Sequence, residues 1–419
     1  MKDKLSEINR LIKFFPGERV DQLWIGTIAQ DFIGIYQDLF EELPGYIRYA
    51  FLEKFGEFTD RELHAIRSLR NTYSRGIEEI RKAPGVETLI QTRKTLTRAA
   101  GQLFEKSHSV VELHELCTTI HDRLTQRMIE LTRHQLQKER RGASGRFAWI
   151  RTGSAGREEQ TLVVDQDNLI VYEDPKDKDY FRSLSNRVVN ALEKAGFAFC
   201  QGGVMASNSK WRWTIEDWKK RLREMAFKQE ELVSLIILMD AKYVAGDPNL
   251  AGQFIQEVHK MPKVNLGLLR EIAQTAIAMP IALTVFRGFK LERHGRHKHQ
   301  FNAKLQGWMP LVMLVLSFAL KYGLRETNTV KRVRALERQG HFDPKFSAEL
   351  QEAYFTLTRH KILRQIESLR MHRKSDYYLN PKDLGEKEEK KIWEALITTD
   401  KLRRVAMNSF HFTKGIPGV

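Results

Sequence analysis

Cysteine is nearly missing. The chain of 419 residues holds two, Cys117 and Cys200, which cannot build a disulfide framework and lack the paired spacing of a structural zinc site. A reducing, cytoplasmic setting is therefore expected. The opening residues, MKDKLSEINRLIKFF, contain no continuous apolar signal-peptide core and read as a charged amphipathic helix. A membrane-length run is also lacking. The longest apolar stretch, residues 308–320, contains Pro310, meets Lys321 at once and falls short of the ~20 residues a spanning helix needs. A buried helix and no membrane partner are expected. Repeats and low-complexity segments do not occur either.

What is present suits a soluble globular chain of two or three domains, with 42% hydrophobic and 29% charged residues. The net charge of +16 favours anionic partners such as nucleotides, nucleic acid or an acidic protein. The same excess, spread over a helical surface, also serves solubility alone.

One stretch, residues 147–174, combines a strand, a glycine turn and paired carboxylates. Residues 147–152 are apolar strand formers that end at Gly153-Ser154, and Ala155-Gly156-Arg157 then reads as a tight turn opening a helix. Small residues let backbone N–H groups approach an anion, a helix N-terminus adds its positive end, and Ser154 and Arg157 supply further donors. Asp165 and Asp167 follow, just before the apolar run Asn168-Leu-Ile-Val-Tyr172. On an extended chain both carboxylates leave the same face while Gln166 points away. Two adjacent carboxylates repel unless a divalent cation neutralises them, and Mg²⁺ favours one or two carboxylates together with phosphate oxygens. A phosphate cradle beside such a pair points to metal-assisted nucleotidyl transfer.

Rival motifs fail on missing residues. The turn lacks the Gly-Lys-Ser/Thr ending of a P-loop and the third glycine of a dinucleotide fingerprint, and Thr152 stands where a nucleophile elbow needs glycine. His121-Asp122 is a single dyad without the other ligands of a metal phosphohydrolase. His294, His297 and His299, in the basic stretch 290–304, have no cysteine or carboxylate cluster to complete a metal site.

The pattern Gly-Ser-x-Gly-Arg followed by Asp-x-Asp resembles the polymerase-beta-like nucleotidyltransferase superfamily. More narrowly, GSAGREEQTLVVDQDN, CQGGVMASNSKWR at 200–212 and MDAKYVAGDP at 239–248 are similar to a bacterial nucleotidyltransferase family, often fused to cyclic-nucleotide-binding or CBS domains and related to the N-terminal part of protein-PII uridylyltransferase. No such sensor domain is recognisable in residues 1–75.

The resemblance implies an α+β fold: a mixed sheet with helices, flanked by N-terminal helices and a C-terminal all-helical bundle. The expected divisions are an N-terminal helical region (1–75), a helical segment packed on the catalytic domain (76–146), the catalytic domain (147–250) and a substrate-binding-like helical domain (265–415). It also implies Mg²⁺ or Mn²⁺ as cofactor and a nucleoside triphosphate as donor. Gly153, Ser154, Gly156 and Arg157 would bind nucleotide, and Asp165 and Asp167 would bind metal. Asp240 is the candidate third carboxylate, with an ordinary helix-end carboxylate as the alternative. Asn208, Lys210 and Arg212 are candidate substrate contacts.

The acceptor stays open among a protein hydroxyl, as in PII uridylylation, an RNA end and a small molecule. A nucleotide-sensing protein without turnover is the competing class. Smaller expectations are a helix break at Gly56, Asp60 as a cap, a short strand at 197–200 and Thr329 capping the helix at 330–339.

Overall fold

The computed structural model describes residues 44–142 and 145–412. The chain divides into two compact units, Met1–Ser68 and Leu69–Val419. Helix α1 (Gly45–Lys82) runs unbroken through Gly56 and Asp60, so neither acts as the expected break or cap. A lone helical glycine costs only about 1 kcal/mol relative to alanine, which the turns on either side can outweigh. Pro16-Gly17, a pair that breaks helices, lies outside the described residues.

In the second unit, α2 (Val86–Ser107) and α3 (Val110–Lys138) are joined across Ser109, whose side chain accepts from the Glu112 N–H. Then come β1 (Phe147–Arg151), the single turn α4 (Gly153–Gly156), β2 (Asn168–Tyr172) and α5 (Lys178–Lys194). Next are β3 (Arg212–Thr214), α6 (Ile215–Met225), α7 (Leu232–Leu238), β4 (Lys242–Gly246), α8 (Pro248–Val264) and α9 (Leu266–Ala278). The sheet order is β3-β2-β1-β4, with β2 and β3 parallel and the other pairs antiparallel.

Every residue of FAWIR in β1 and NLIVY in β2 is buried. The reason is that both faces are covered. Ala148, Ile150, Leu169 and Val171 enter one core with α6, α7 and α8, whereas Phe147, Trp149, Ile170 and Tyr172 enter the other with α3 and α5. Continuous apolar strands are what a sheet buried on both faces requires. Thr214 caps α6 by accepting from the Asp217 N–H, and its hydroxyl donates to the Asp217 carboxylate at 2.7 Å. The expected strand at 197–200 shrinks to one bridge between Ala198 and Asp165.

After a basic irregular stretch come β5 (Phe301–Asn302), a wide turn at Lys304–Trp308, and α10 (Met309–Lys321), which is apolar and almost wholly buried. Helices α11 (Thr329–Arg338) and α12 (Pro344–Arg370), strand β6 (Tyr378–Leu379) and α13 (Glu386–Ser409) complete the chain. The bundle is helical apart from the two-residue pairing of β5 with β6. Asn328 caps α11 by accepting from the Lys331 N–H, so Thr329, the expected cap, is the first helical residue.

Candidate active site

The site grows from the edge between β1 and β2. Accessibility alternates from Val163 to Asp167: Val163 and Asp165 are exposed, Asp167 is partly exposed, and Val164 and Gln166 are buried. This is the period of an extended chain, so the two carboxylates share one face. Gln166 is anchored inward, donating to the Val189 and Phe197 carbonyls at 3.0 and 3.1 Å. Burial, and then the neighbouring charge of Asp165, push the Asp167 carboxyl up to about 6. Burial disfavours the charged carboxylate, and the like charge beside it adds to the same effect.

The turn and this pair are in contact. Gly153 has φ +55°, and a Cβ there would meet Asp167 Oδ2 at 2.7 Å, so both conformation and space demand glycine. Thr152 donates its N–H to the Asp167 carbonyl at 3.0 Å. Among the described residues, the backbone N–H groups of Gly153, Ser154 and Ala155 donate to no protein acceptor. The helical part of the turn is only four residues long, so these donors, rather than a long helix dipole, are what it offers an anion.

The C-terminal region adds cations. Lys304 and Lys361 both act on the local electrostatics: Lys304 lowers Asp167, and Asp165 favours charged Lys361. Helix α12 faces the loop that carries the carboxylates with Tyr354, Thr358, Lys361 and Gln365, spaced along one helical face and all buried. Gln365 bonds both the N–H and the carbonyl of Val163, at 3.3 and 3.2 Å. Tyr354 meets His114 Nε2 at 3.2 Å, and His114 Nδ1 lies 2.8 Å from the Gln160 carbonyl.

A sequence-family model described as "Putative nucleotidyltransferase DUF294" matches residues 94–231, and one described as "Putative nucleotidyltransferase substrate binding domain" matches residues 267–410. The chain belongs to this nucleotidyltransferase family. A comparison with curated proteins found no match. The first match takes in the glycine turn and both aspartates, and the second takes in Lys304, α11 and α12.

In this nucleotidyltransferase two expected ligands have other partners. Asp240 lies just after α7, not on a strand, and is buried, with Oδ2 2.6 Å from Arg157 Nη1 and Oδ1 2.7 Å from Arg332 Nη2. Arg157 is buried as well and spends its Nε on Glu159 at 2.8 Å. Although burial pushes Glu159 up, Arg157 and the Thr329 N–H at 2.6 Å hold it below its usual range. In this arrangement Asp240 takes the part of the helix-end carboxylate that was the alternative to a third metal ligand, and the Arg157 guanidinium is engaged by Glu159 and Asp240. These side chains form a closed ion-pair network that ties the turn to α11. Removing one partner of such a buried pair costs about 3–5 kcal/mol.

Gly156 belongs to the same seam. A Cβ there would lie 1.7 Å from the Asp240 carbonyl oxygen, so this glycine serves close backbone packing rather than an anion. Thr327 and Asn328 donate to the Gly156 and Arg157 carbonyls at 2.9 and 3.1 Å.

Of the candidate substrate contacts, Asn208 bonds the Gly203 carbonyl and the Lys210 N–H, and Arg212 bonds the Ala206 and Ser207 carbonyls. Both shape their own loop. Lys210 is exposed and makes no ion pair among the described residues. Trp211 and Trp218 are buried, as packing residues should be. His121 is buried and Asp122 pairs with Arg151. His297 stacks on Tyr378 at 3.7 Å between centroids, and among the described residues no cluster of metal-type ligands forms.

Proposed function

We propose that this chain transfers a nucleoside monophosphate from a nucleoside triphosphate to an acceptor hydroxyl and releases pyrophosphate. The observation that carries the reading is the Asp165–Asp167 face, with Asp167 pushed up to about 6 and held against the Gly153 turn. Two oxygen-rich groups, open to solvent on one side, fit a hard divalent cation such as Mg²⁺ or Mn²⁺, and Asp165 and Asp167 would hold it. When bound, such an ion polarises phosphoryl oxygens and makes an acceptor hydroxyl easier to deprotonate.

The remaining work falls to the chain itself. The unpaired N–H groups of Gly153 and Ser154, with the Ser154 hydroxyl, hold phosphate oxygens and orient the α-phosphorus. The acceptor hydroxyl gives up its proton to solvent, its oxygen bonds to the α-phosphorus, and the bond from that phosphorus to the bridging α–β oxygen breaks, so that pyrophosphate departs with that oxygen. Arg157 and Asp240 act at one remove, by fixing the turn.

Resemblance to PII uridylyltransferase makes UTP the first donor to test and a protein hydroxyl the first acceptor. The decisive experiment supplies each α-labelled nucleoside triphosphate with Mg²⁺ or Mn²⁺ to cell-extract protein and RNA, with Asp165→Asn/Asp167→Asn as control. Label in protein that the double variant abolishes supports the proposal and names the base. Label in RNA reassigns the acceptor, whereas nucleotide binding without any transfer favours a sensing protein.

A further inference from the structure

Two ammonium groups near the carboxylates have no anionic partner. Lys361 is only 5% exposed, yet among the described residues no carboxylate lies within ion-pair distance of it. Its Nζ sits 4.0 Å from the Trp308 ring centroid. Every other polar member of the same α12 face is bonded. Tyr354 meets His114, Thr358 accepts from Trp308 Nε1 at 3.1 Å, and Gln365 grips Val163. Lys361 stands one turn before Gln365, which fastens α12 to the aspartate-bearing loop, and of these four side chains it alone has no hydrogen-bond partner among the described residues.

Lys304 repeats the pattern from the turn before α10. It is partly buried, has no carboxylate partner among the described residues, and lies 5.2 Å from the Tyr377 ring centroid. The Tyr377 hydroxyl is in turn 3.1 Å from Gln365 Nε2. After burial, the like charge of Lys304 acts most strongly against a charged Lys361, while Glu159 and then Asp165 favour it, and Asp165 also acts on Tyr377. The contact chain Lys304–Tyr377–Gln365–Val163 leads from this lysine to the loop that carries Asp165 and Asp167, and Lys361 stands one turn before Gln365 on the same helix.

Burying an unpaired ammonium costs free energy unless a ligand supplies the missing anion. Burial, followed by Lys304, lowers Lys361 to about 7; a polyanion would restore its full charge. A cation-binding carboxylate face opposite a pair of unpaired lysines is the layout a metal-bound polyphosphate needs. We infer that Lys361 and Lys304 are the polyphosphate seat of this site, holding the oxygens of the two phosphates that leave as pyrophosphate. This assignment rests on the nucleotidyl-transfer reading above and gives the C-terminal region a direct part in donor binding.

The test uses the full chain and inorganic tripolyphosphate, so that neither base nor acceptor need be known. Binding is measured calorimetrically without divalent metal and again with Mg²⁺, for wild type, Lys361→Met, Lys304→Met and the exposed-lysine control Lys387→Met. Loss of a charge-assisted contact predicts binding about tenfold weaker or more in each site variant, and no change in the control. Lys361→Met should melt no lower than wild type, because it removes an uncompensated buried charge, so weak binding cannot be put down to unfolding. Sites that bind tripolyphosphate as wild type does in both variants would overturn the lysine assignment and leave the donor reading standing. A wild-type protein that binds no tripolyphosphate, with or without Mg²⁺, would overturn both.

Discussion

Replacing Asp167 by asparagine should make the metal-free protein more stable while destroying its function. In the folded chain this carboxyl rises from 3.8 to about 6 through burial and the charge of Asp165. A carboxyl whose folded value is raised favours folding while protonated, so stability is lost as pH climbs from about 4 to 6 and stays low above that. A shift of roughly two units corresponds to about 3 kcal/mol as an upper bound, and partial exposure of Asp167 reduces it to about 1–2 kcal/mol. Scaled to a unit of this size, that is a rise of about 2–3 °C in melting temperature.

The assay is thermal unfolding of wild type and Asp167→Asn at pH 8 and pH 4, with chelator or with millimolar Mg²⁺. Asparagine should melt higher at pH 8 with chelator, and the gap should close at pH 4. Mg²⁺ should raise wild type alone, since only a ligand bound to the folded state adds stability. An asparagine variant that melts lower than wild type at pH 8, or one that gains as much from Mg²⁺, would refute the claim that the pair is an unmet cation site.

Gly153→Ala should reduce transfer by tenfold or more, because its Cβ must displace Asp167 Oδ2 from 2.7 Å; the positive φ adds about 1–2 kcal/mol of strain, readable as a small drop in denaturant midpoint. Arg332→Met leaves Asp240 with one guanidinium in place of two and should cost about 3–5 kcal/mol in urea unfolding. The double change Arg332→Met/Asp240→Leu should do no worse than the single one if the loss comes from an unbalanced charge. At limiting Mg²⁺, kcat/KM should fall as pH drops through about 6, where Asp167 takes a proton and no longer serves a cation. Raising Mg²⁺ should move that acid limb to lower pH.

The two central strands and the spacing of the aspartate pair could be read from the chain because their signals are local, whereas the edge strands β3 and β4 could not. Continuous apolar strands, a strand-turn junction at Gly153 and the i, i+2 spacing of Asp165 and Asp167 each follow from a few neighbouring residues. Asp240 misled for the opposite reason. An acid after an apolar run looks the same whether it binds metal or pairs with arginine, and its partner Arg332 is far along the chain. Arg157 likewise looked like a phosphate ligand until Glu159 and Asp240 closed around it.

Lys361 was missed altogether, whereas Lys304 closes the basic stretch 290–304 that the sequence marks. Tyr354, Thr358, Lys361 and Gln365 do trace a polar stripe at helical spacing, but the stripe gains meaning only where α12 meets the aspartate loop. Gly56 shows a related limit: propensity marks a weak point in a helix, while the surrounding turns decide whether it breaks.

The central claim is cleavage between the α- and β-phosphates at the Asp165–Asp167 site, and the most direct measurement follows both ends of that bond. Reactions would run in parallel with α-labelled and γ-labelled nucleoside triphosphate and Mg²⁺, using wild type and the Asp165→Asn/Asp167→Asn variant. The account predicts α-label in the acceptor, γ-label in pyrophosphate, and neither with the variant. Release of γ-label as orthophosphate, or its transfer to the acceptor, would contradict it.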